Sequence, residues 1–168
     1  NFNLKNLDLA SWPFYTKEEI DRVNKVLNSG KVNYWTGYET KFFEEEFAKY
    51  IDVNYSVAFA NGTLALSAAY LAFGIKKGDE IITTPRTFIA TASTILLLGA
   101  KPIFADVDLN SGNITAEGIK PLINESTKAI SVVHLGGWPA EMESISRLAK
   151  DNGLLILEDC SQAHGASI

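Results

Sequence analysis

Cysteine is nearly missing from this chain of 168 residues, and no long apolar run interrupts it. Cys160 is the only cysteine, which excludes an intrachain disulfide and a cysteine-rich zinc site and fits a reducing compartment such as the cytoplasm. The formal net charge of -5 gives no general attraction for polyanions, so we expect neither nucleic acid nor an anionic membrane as a partner. The apolar run at residues 95–98 is far shorter than the roughly 20 residues that a membrane-spanning helix needs.

Apolar residues are plentiful, at 46% of the chain, and their spacing in the N-terminal part is helical. Thr16 and Glu19 have the spacing of a capping box at the start of a helix that Gly30 ends. Phe43, Phe47 and further apolar residues then follow at the spacing of a second helix. We therefore predict an N-terminal helical extension over residues 1–54.

From residue 55 the pattern changes to short apolar runs that alternate with segments of helical length. The runs predict strands at 56–60, 80–84, 102–107, 128–134 and 154–158, and the segments between them predict helices at 63–73, 88–98, 116–123 and 140–152. Strands of continuous apolar character are typical of parallel sheets with helices on both faces. The sequence thus predicts an α/β domain over residues 55–168 with a doubly wound, mostly parallel sheet that is incomplete at its C-terminal end.

In such sheets ligands bind beyond the carboxyl ends of the strands, so we looked for chemistry there. Gly62 and Thr63 follow the first predicted strand, where a turn and the start of a helix can bind a phosphate; a glycine turn with a threonine cap is the plainer interpretation. Phe88 follows the second strand and can stack on a flat ring, or it is a core residue. Asp159 can hold the proton of a ring nitrogen, with Gln162 reaching a neighbouring ring oxygen, or Asp159 only caps a turn.

Taken together, these places supply a phosphate cradle, a stacking face and a partner for a pyridine nitrogen, which is what a pyridoxal phosphate site requires. His134 and His164 have no further histidine or acidic cluster at ligand spacing, so we interpret both as hydrogen-bonded structural residues and predict no metal site. The turn at Gly62 lacks the G-x-G-x-x-G pattern, which argues against a dinucleotide-binding domain.

A resemblance to a known family covers most of the chain. In order and spacing, the chain resembles the DegT/StrS sugar aminotransferases in these blocks: Trp12-Pro13, SGKVNYWTG at 29–37, Asn61-Gly62-Thr63, GDE at 78–80, TPRTF at 84–88, VHLGGWP at 133–139 and EDCSQAHGA at 158–166. The resemblance implies the fold-type-I aminotransferase architecture and a homodimer. It further implies pyridoxal 5'-phosphate as cofactor and transfer of an amino group from glutamate to a keto sugar carried on a nucleotide.

Carried over residue by residue, the resemblance places the cofactor phosphate on the backbone amides of Thr63 and Leu64, beside Gly62. It places Phe88 on the cofactor ring, Asp159 on the pyridine nitrogen and Gln162 near the ring hydroxyl oxygen. The loop with Tyr34 and Trp35 would lie near the entrance for the sugar nucleotide.

The lysine that carries the cofactor in this family follows the Asp-x-x-Gln motif at a distance that would put it beyond Ile168, since the last lysine here is Lys150. We therefore expect no catalytic residue within these 168 residues, and we expect this chain alone to be inactive. Two alternatives stay open. One is a nucleotide-sugar dehydratase on the same scaffold, in which histidine replaces the lysine; the other is a non-catalytic ligand-binding or regulatory relative.

Overall fold

The computed structural model describes residues 11–167, and the chain divides into two compact units, Asn1–Ala58 and Phe59–Ile168. The first unit contains helices α1 (Lys17–Ser29) and α2 (Glu39–Tyr50). The predicted capping box is confirmed, because the Thr16 hydroxyl accepts from the Glu19 amide at 3.2 Å and the Glu19 carboxylate accepts from the Thr16 amide at 2.6 Å. Gly30 ends α1 in the left-handed conformation, with φ of 69°.

The second unit alternates helices and strands as predicted. Its elements are α3 (Gly62–Ala72), β1 (Glu80–Thr83), α4 (Ala90–Leu97), β2 (Lys101–Phe104), α5 (Ala116–Ile119), β3 (Thr127–Val133), α6 (Met142–Asp151) and β4 (Leu155–Asp159). Short 3-10 turns follow α5 at Lys120–Leu122 and β3 at Leu135–Gly137. Within residues 11–167, no helix has both the length and the apolar character needed to cross a membrane.

The four strands form a parallel sheet in the order β2-β1-β3-β4, with a separate apolar core on each face. Neighbouring residues in a strand point to opposite faces, so Ile81 and Ile82 enter different cores. One core contains Leu66 and Tyr70 of α3 together with Ala90 and Ile95 of α4, and the other contains Ile119 of α5 together with Met142 and Ile145 of α6. The predicted doubly wound α/β fold is confirmed.

The strand order identifies where a ligand should bind. The chain runs outward from β1 to β2 and then returns to place β3 on the other side of β1. The winding direction therefore reverses between β1 and β3, and in open α/β sheets the crevice beyond the carboxyl ends at such a reversal is the usual ligand site.

Two sequence-based expectations are corrected by the structure. Residues 56–60 do not form a strand, because none of the described strands lies beside them to complete a hydrogen-bond ladder. The predicted helix at 116–123 keeps its α geometry only to Ile119 and continues as a 3-10 turn. Pro121 explains that change, since it has no N–H to donate to the preceding helical turn.

Candidate active site at the carboxyl end of the sheet

A cavity of about 390 Å³ lies at the reversal between β1 and β3. Its walls come from the start of α3, the segment between β1 and α4, and the residues that follow β3 and β4. The structure brings together Gly62, Thr63, Phe88, Asp159 and Gln162, which the sequence singled out, as lining residues of this one cavity. Leu64 does not line it.

The start of α3 presents free backbone donors to the cavity. Asn61 is the N-cap residue, and its side chain accepts from the Leu64 amide at 3.0 Å. The amides of Gly62 and Thr63, in the first turn, have no acceptor among residues 11–167 and are available to an anion. The interpretation of Thr63 as the cap is therefore wrong, and its hydroxyl remains free for a ligand. The Leu64 amide is already engaged by the cap.

Phe88 is not a core residue. It is 71% exposed in the segment that leads from β1 into α4, and its ring forms part of the cavity wall. Full burial of such a ring would gain about 1.5–3 kcal/mol, so a partner surface that covers it would be stabilised. A flat ligand ring is a suitable partner surface.

Asp159 caps the turn after β4, which was one of the two roles that its sequence position suggested. Its Oδ1 accepts from the Ser161 amide at 3.1 Å and from the Ser161 hydroxyl at 2.5 Å, which fixes the turn after β4. No donor among residues 11–167 reaches its Oδ2. Since β3 and β4 pair Val133 with Asp159, the sheet itself positions this carboxylate at the cavity edge with one oxygen left for a ligand.

Gln162 lies three residues beyond Asp159 and also lines the cavity. Its Oε1 accepts from the Gly136 amide at 2.7 Å, so the loop that follows β3 holds one end of the amide group. The carboxylate and the carboxamide together present an acceptor and a donor three residues apart.

His134, at the end of β3, ties this loop to β4. Its Nδ1 accepts from the Ala140 amide at 3.0 Å, and its Nε2 lies 2.9 Å from Oε2 of Glu158. Because Nδ1 accepts, the proton of the neutral ring is on Nε2 and is donated to Glu158. His134, Glu158 and Cys160 bring ligand atoms within 4.8 Å of one another, but a ring that uses both nitrogens in this way has no lone pair left for a metal ion. The hydrogen-bonded role predicted for His134 is thus confirmed.

Burial perturbs two ionisable groups near the site. Desolvation raises the pKa of Tyr70 to about 12, against an opposing hydrogen bond from its hydroxyl to Ser131 and with a smaller contribution from the charge of Asp159. Desolvation also raises the pKa of the Cys160 thiol, and the nearby charges of Glu158 and Asp159 act in the same direction. Cys160 is therefore kept protonated beside the site and is a poor nucleophile at neutral pH.

Sequence reasoning missed several lining residues, among them four with polar side chains. Asn61, Thr87, Thr91 and Ser161 all contact the cavity, and the Thr87 and Thr91 hydroxyls are 2.9 Å apart. The cap preference of Asn61 just before a helix was a usable signal. The threonine pair had none, because Thr87 lies before α4 and only the folded chain brings its hydroxyl next to that of Thr91.

Tyr34 and Trp35 belong to the first unit, in the loop between α1 and α2. Their rings make an edge-to-face contact with centroids 6.1 Å apart, and Lys41 Nζ lies 5.4 Å from the Tyr34 centroid. The Tyr34 hydroxyl is 3.4 Å from Glu44 Oε2, while Trp35 is 89% exposed. The loop therefore offers an exposed aromatic surface, and its contact with a substrate stays a prediction.

The site suits a flat, phosphate-bearing heterocycle with a protonated ring nitrogen. Two free amides and a hydroxyl at a helix N-terminus are donors for an anionic group, and the dipole of α3 adds to them. The exposed Phe88 ring supplies a stacking face, and the free Oδ2 of Asp159 supplies an acceptor for a ring N–H. The size of the cavity is within the common range for small-molecule sites, about 300–1,000 Å³.

Comparison with known proteins gives a consistent picture. The model of the DegT/DnrJ/EryC1/StrS aminotransferase family matches residues 13–168. A dTDP-3-amino-3,6-dideoxy-alpha-D-galactopyranose transaminase from Aneurinibacillus thermoaerophilus is 43% identical over 152 residues, which cover 90% of this chain and 41% of the relative.

Two solved structures extend the comparison to the fold. An aminotransferase from Psychrobacter cryohalolentis superposes with a TM-score of 0.92 at 51% identity, covering 94% of this chain and 40% of that one. NtdA from Bacillus subtilis, solved with bound cofactor PMP, superposes with a TM-score of 0.85 at 30% identity, covering 97% of this chain and 39% of that one. The chain thus spans about two fifths of the length of the proteins that it matches.

Proposed function

Since this chain belongs to the DegT/DnrJ/EryC1/StrS aminotransferase family, we propose that the complete protein is a pyridoxal-phosphate-dependent aminotransferase acting on a nucleotide-linked keto sugar. The observation that carries the proposal is the meeting, in one cavity at the sheet reversal, of a free helix N-terminus, an exposed aromatic ring and a carboxylate with a free oxygen. The sugar-nucleotide part rests on the dTDP-sugar transaminase to which the chain is similar.

Each of these groups has a defined task toward the cofactor. Pyridoxal phosphate, when bound, supplies an electron-accepting ring for the exchange of the amino group. The Gly62 and Thr63 amides and the Thr63 hydroxyl bind its phosphate, and Phe88 covers one face of its ring. Asp159 holds the proton on the ring nitrogen, which keeps the ring electron-poor. Gln162 donates to the ring oxygen. This assignment moves the phosphate contact from Leu64 to Gly62, because the Leu64 amide is bonded to Asn61.

Further parts of the proposal concern the whole protein. We place the lysine that carries the cofactor beyond Ile168, take glutamate as the amino donor and assign the substrate entrance to the loop with Tyr34 and Trp35. We propose a homodimer in the cytoplasm, the latter supported by the single cysteine.

The test uses the complete protein with added pyridoxal phosphate. We expect visible absorption from bound cofactor, and we expect glutamate to yield 2-oxoglutarate in an amount equal to the amino sugar formed. Cofactor binding with neither 2-oxoglutarate nor amino sugar formed would favour the dehydratase. No cofactor absorption at all would refute the catalytic proposal and leave the binding or regulatory relative.

A further inference from the structure

The orientation of the Gln162 amide is fixed by a backbone group. Gly136 N–H lies 2.7 Å from the Gln162 side chain, and a backbone N–H can only donate, so the atom that it meets is Oε1. The other end of the amide, Nε2, has no acceptor among residues 11–167. Because Gln162 lines the cavity, its free donor is the end available to a ligand.

Gly136 adopts a conformation that favours glycine. Its φ of 67° and ψ of 14° are left-handed, and a Cβ added there would meet nothing within 4 Å. A side chain at this position would therefore be disfavoured by backbone conformation alone. Gly137 follows at φ of 82°, and its Cβ would lie 3.0 Å from the Gln162 carbonyl oxygen, so the loop packs closely on the turn that carries Gln162.

The loop is also anchored at both ends. The His134 amide donates to the Asp159 carbonyl at 3.2 Å, which continues the β3–β4 pairing by one step. The His134 ring then bridges Glu158 and the Ala140 amide, which closes the loop at residue 140. The Gly136 N–H is thereby held in a defined place relative to β4, the strand that delivers Asp159.

We infer that Gly136 is a positioning residue whose N–H fixes the orientation of the Gln162 amide, so that Nε2 and not Oε1 faces the ring oxygen of the ligand. This inference rests on the proposed function. In this arrangement Gln162 presents its Nε2 donor to the cavity, in addition to the Oδ2 acceptor of Asp159. If the amide were turned round, Oε1 would face the cavity and both groups would be acceptors. A cofactor analogue without the ring hydroxyl should lose this contact, whereas its phosphate, stacking and ring-nitrogen contacts stay the same.

The first experiment compares pyridoxamine phosphate with its 3-deoxy analogue by Kd in the complete protein, since neither compound has an aldehyde that could bond to a lysine. One hydrogen bond predicts a preference of about three- to tenfold for pyridoxamine phosphate in the wild type. Gly136→Ala keeps the N–H but disfavours the left-handed backbone that directs it at Gln162, so it should reduce this preference. Gly153→Ala is the matched control, because Gly153 has φ of 65° and open space around its Cβ but does not line the cavity. A general loss of structure would weaken both ligands equally. An unchanged preference in Gly136→Ala would overturn the inference.

A second pair of variants covers the case in which Gly136→Ala does not fold. Gln162→Glu keeps an acceptor for Gly136 but turns an anionic oxygen toward the ligand oxygen, so it should bind pyridoxal phosphate more weakly than Gln162→Ala. Wild-type affinity in Gln162→Glu would mean that Nε2 does not face the ligand. In the Gln162→Ala background, Gly136→Ala should have no further effect on the preference, and an additive effect would contradict the positioning role. Failure of the wild type to bind would overturn the proposed function together with this inference.

Discussion

Replacement of His134 should open the loop at residues 134–140, and the two bonds of its ring should contribute unequally. The ring is 4% exposed, and its Nδ1 is the acceptor for the buried Ala140 amide. Removing that acceptor leaves a buried N–H unpaired, at a cost of about 1–3 kcal/mol. The bond from Nε2 reaches Glu158, whose side chain is 46% exposed, so water replaces it and its loss costs at most about 1 kcal/mol.

These magnitudes predict an order among three variants. His134→Ala loses both bonds. The cost of leaving the Ala140 N–H unpaired should by itself accelerate hydrogen exchange of that amide by about 5- to 150-fold. His134→Asn places an amide oxygen near the former Nδ1 and should retain most of the protection. His134→Gln can still donate to Glu158 but is too long to place an acceptor at the Nδ1 position, so it should resemble His134→Ala.

Native-state hydrogen exchange of the complete protein is the assay, because it reports local opening at single amides. The Ala105 amide is the internal control, since it donates to the Thr83 carbonyl at 2.8 Å in the same sheet and lies outside the loop. Equal exchange of Ala140 in the Asn and Ala variants would refute the reasoning. A parallel change at Ala105 would show that the substitution destabilised the sheet and not the loop.

Three other predictions concern the site and the core beneath it. Asp159→Asn keeps an oxygen for the bond from Ser161 but removes the negative charge, so we expect turnover to fall by about 100-fold or more with a smaller change in cofactor Kd. The control is Asp108→Asn, in a similar aspartate turn, which should leave turnover unchanged. Tyr70 should stay unionised up to about pH 12 in an absorbance titration, and ionisation near pH 10 in the folded protein would contradict this. Because the folded state binds the Tyr70 proton more tightly than the unfolded state does, the contribution of this group to stability should be lost as pH rises from about 10 to 12. The raised pKa predicts that iodoacetamide modifies Cys160 more slowly at pH 8 than a free cysteine, with the difference narrowing as pH rises; equal rates at pH 8 would contradict the shift.

Local signals in the sequence identified most of the fold. These signals depend only on residues close together in the chain, so they can be identified before the tertiary structure is known. They are the capping box at Thr16, the glycine that ends α1 at Gly30 and the apolar runs of β1, β3 and β4. The predicted strand at 56–60 failed for the complementary reason. A strand needs a partner, and its composition alone does not provide one.

The sequence by itself also determined which types of side chain lie at the site, because each strand ends where its apolar run ends and the residues that follow can be read directly. Only the tertiary structure decided which atoms are free. The Leu64 amide is bonded to Asn61, one oxygen of Asp159 is taken by Ser161, and the Gln162 amide is oriented by Gly136. The last of these joins residues 26 positions apart. Hydrogen-bond partners are chosen by distance and angle in space, and the order of residues along the chain does not encode either until the chain has folded.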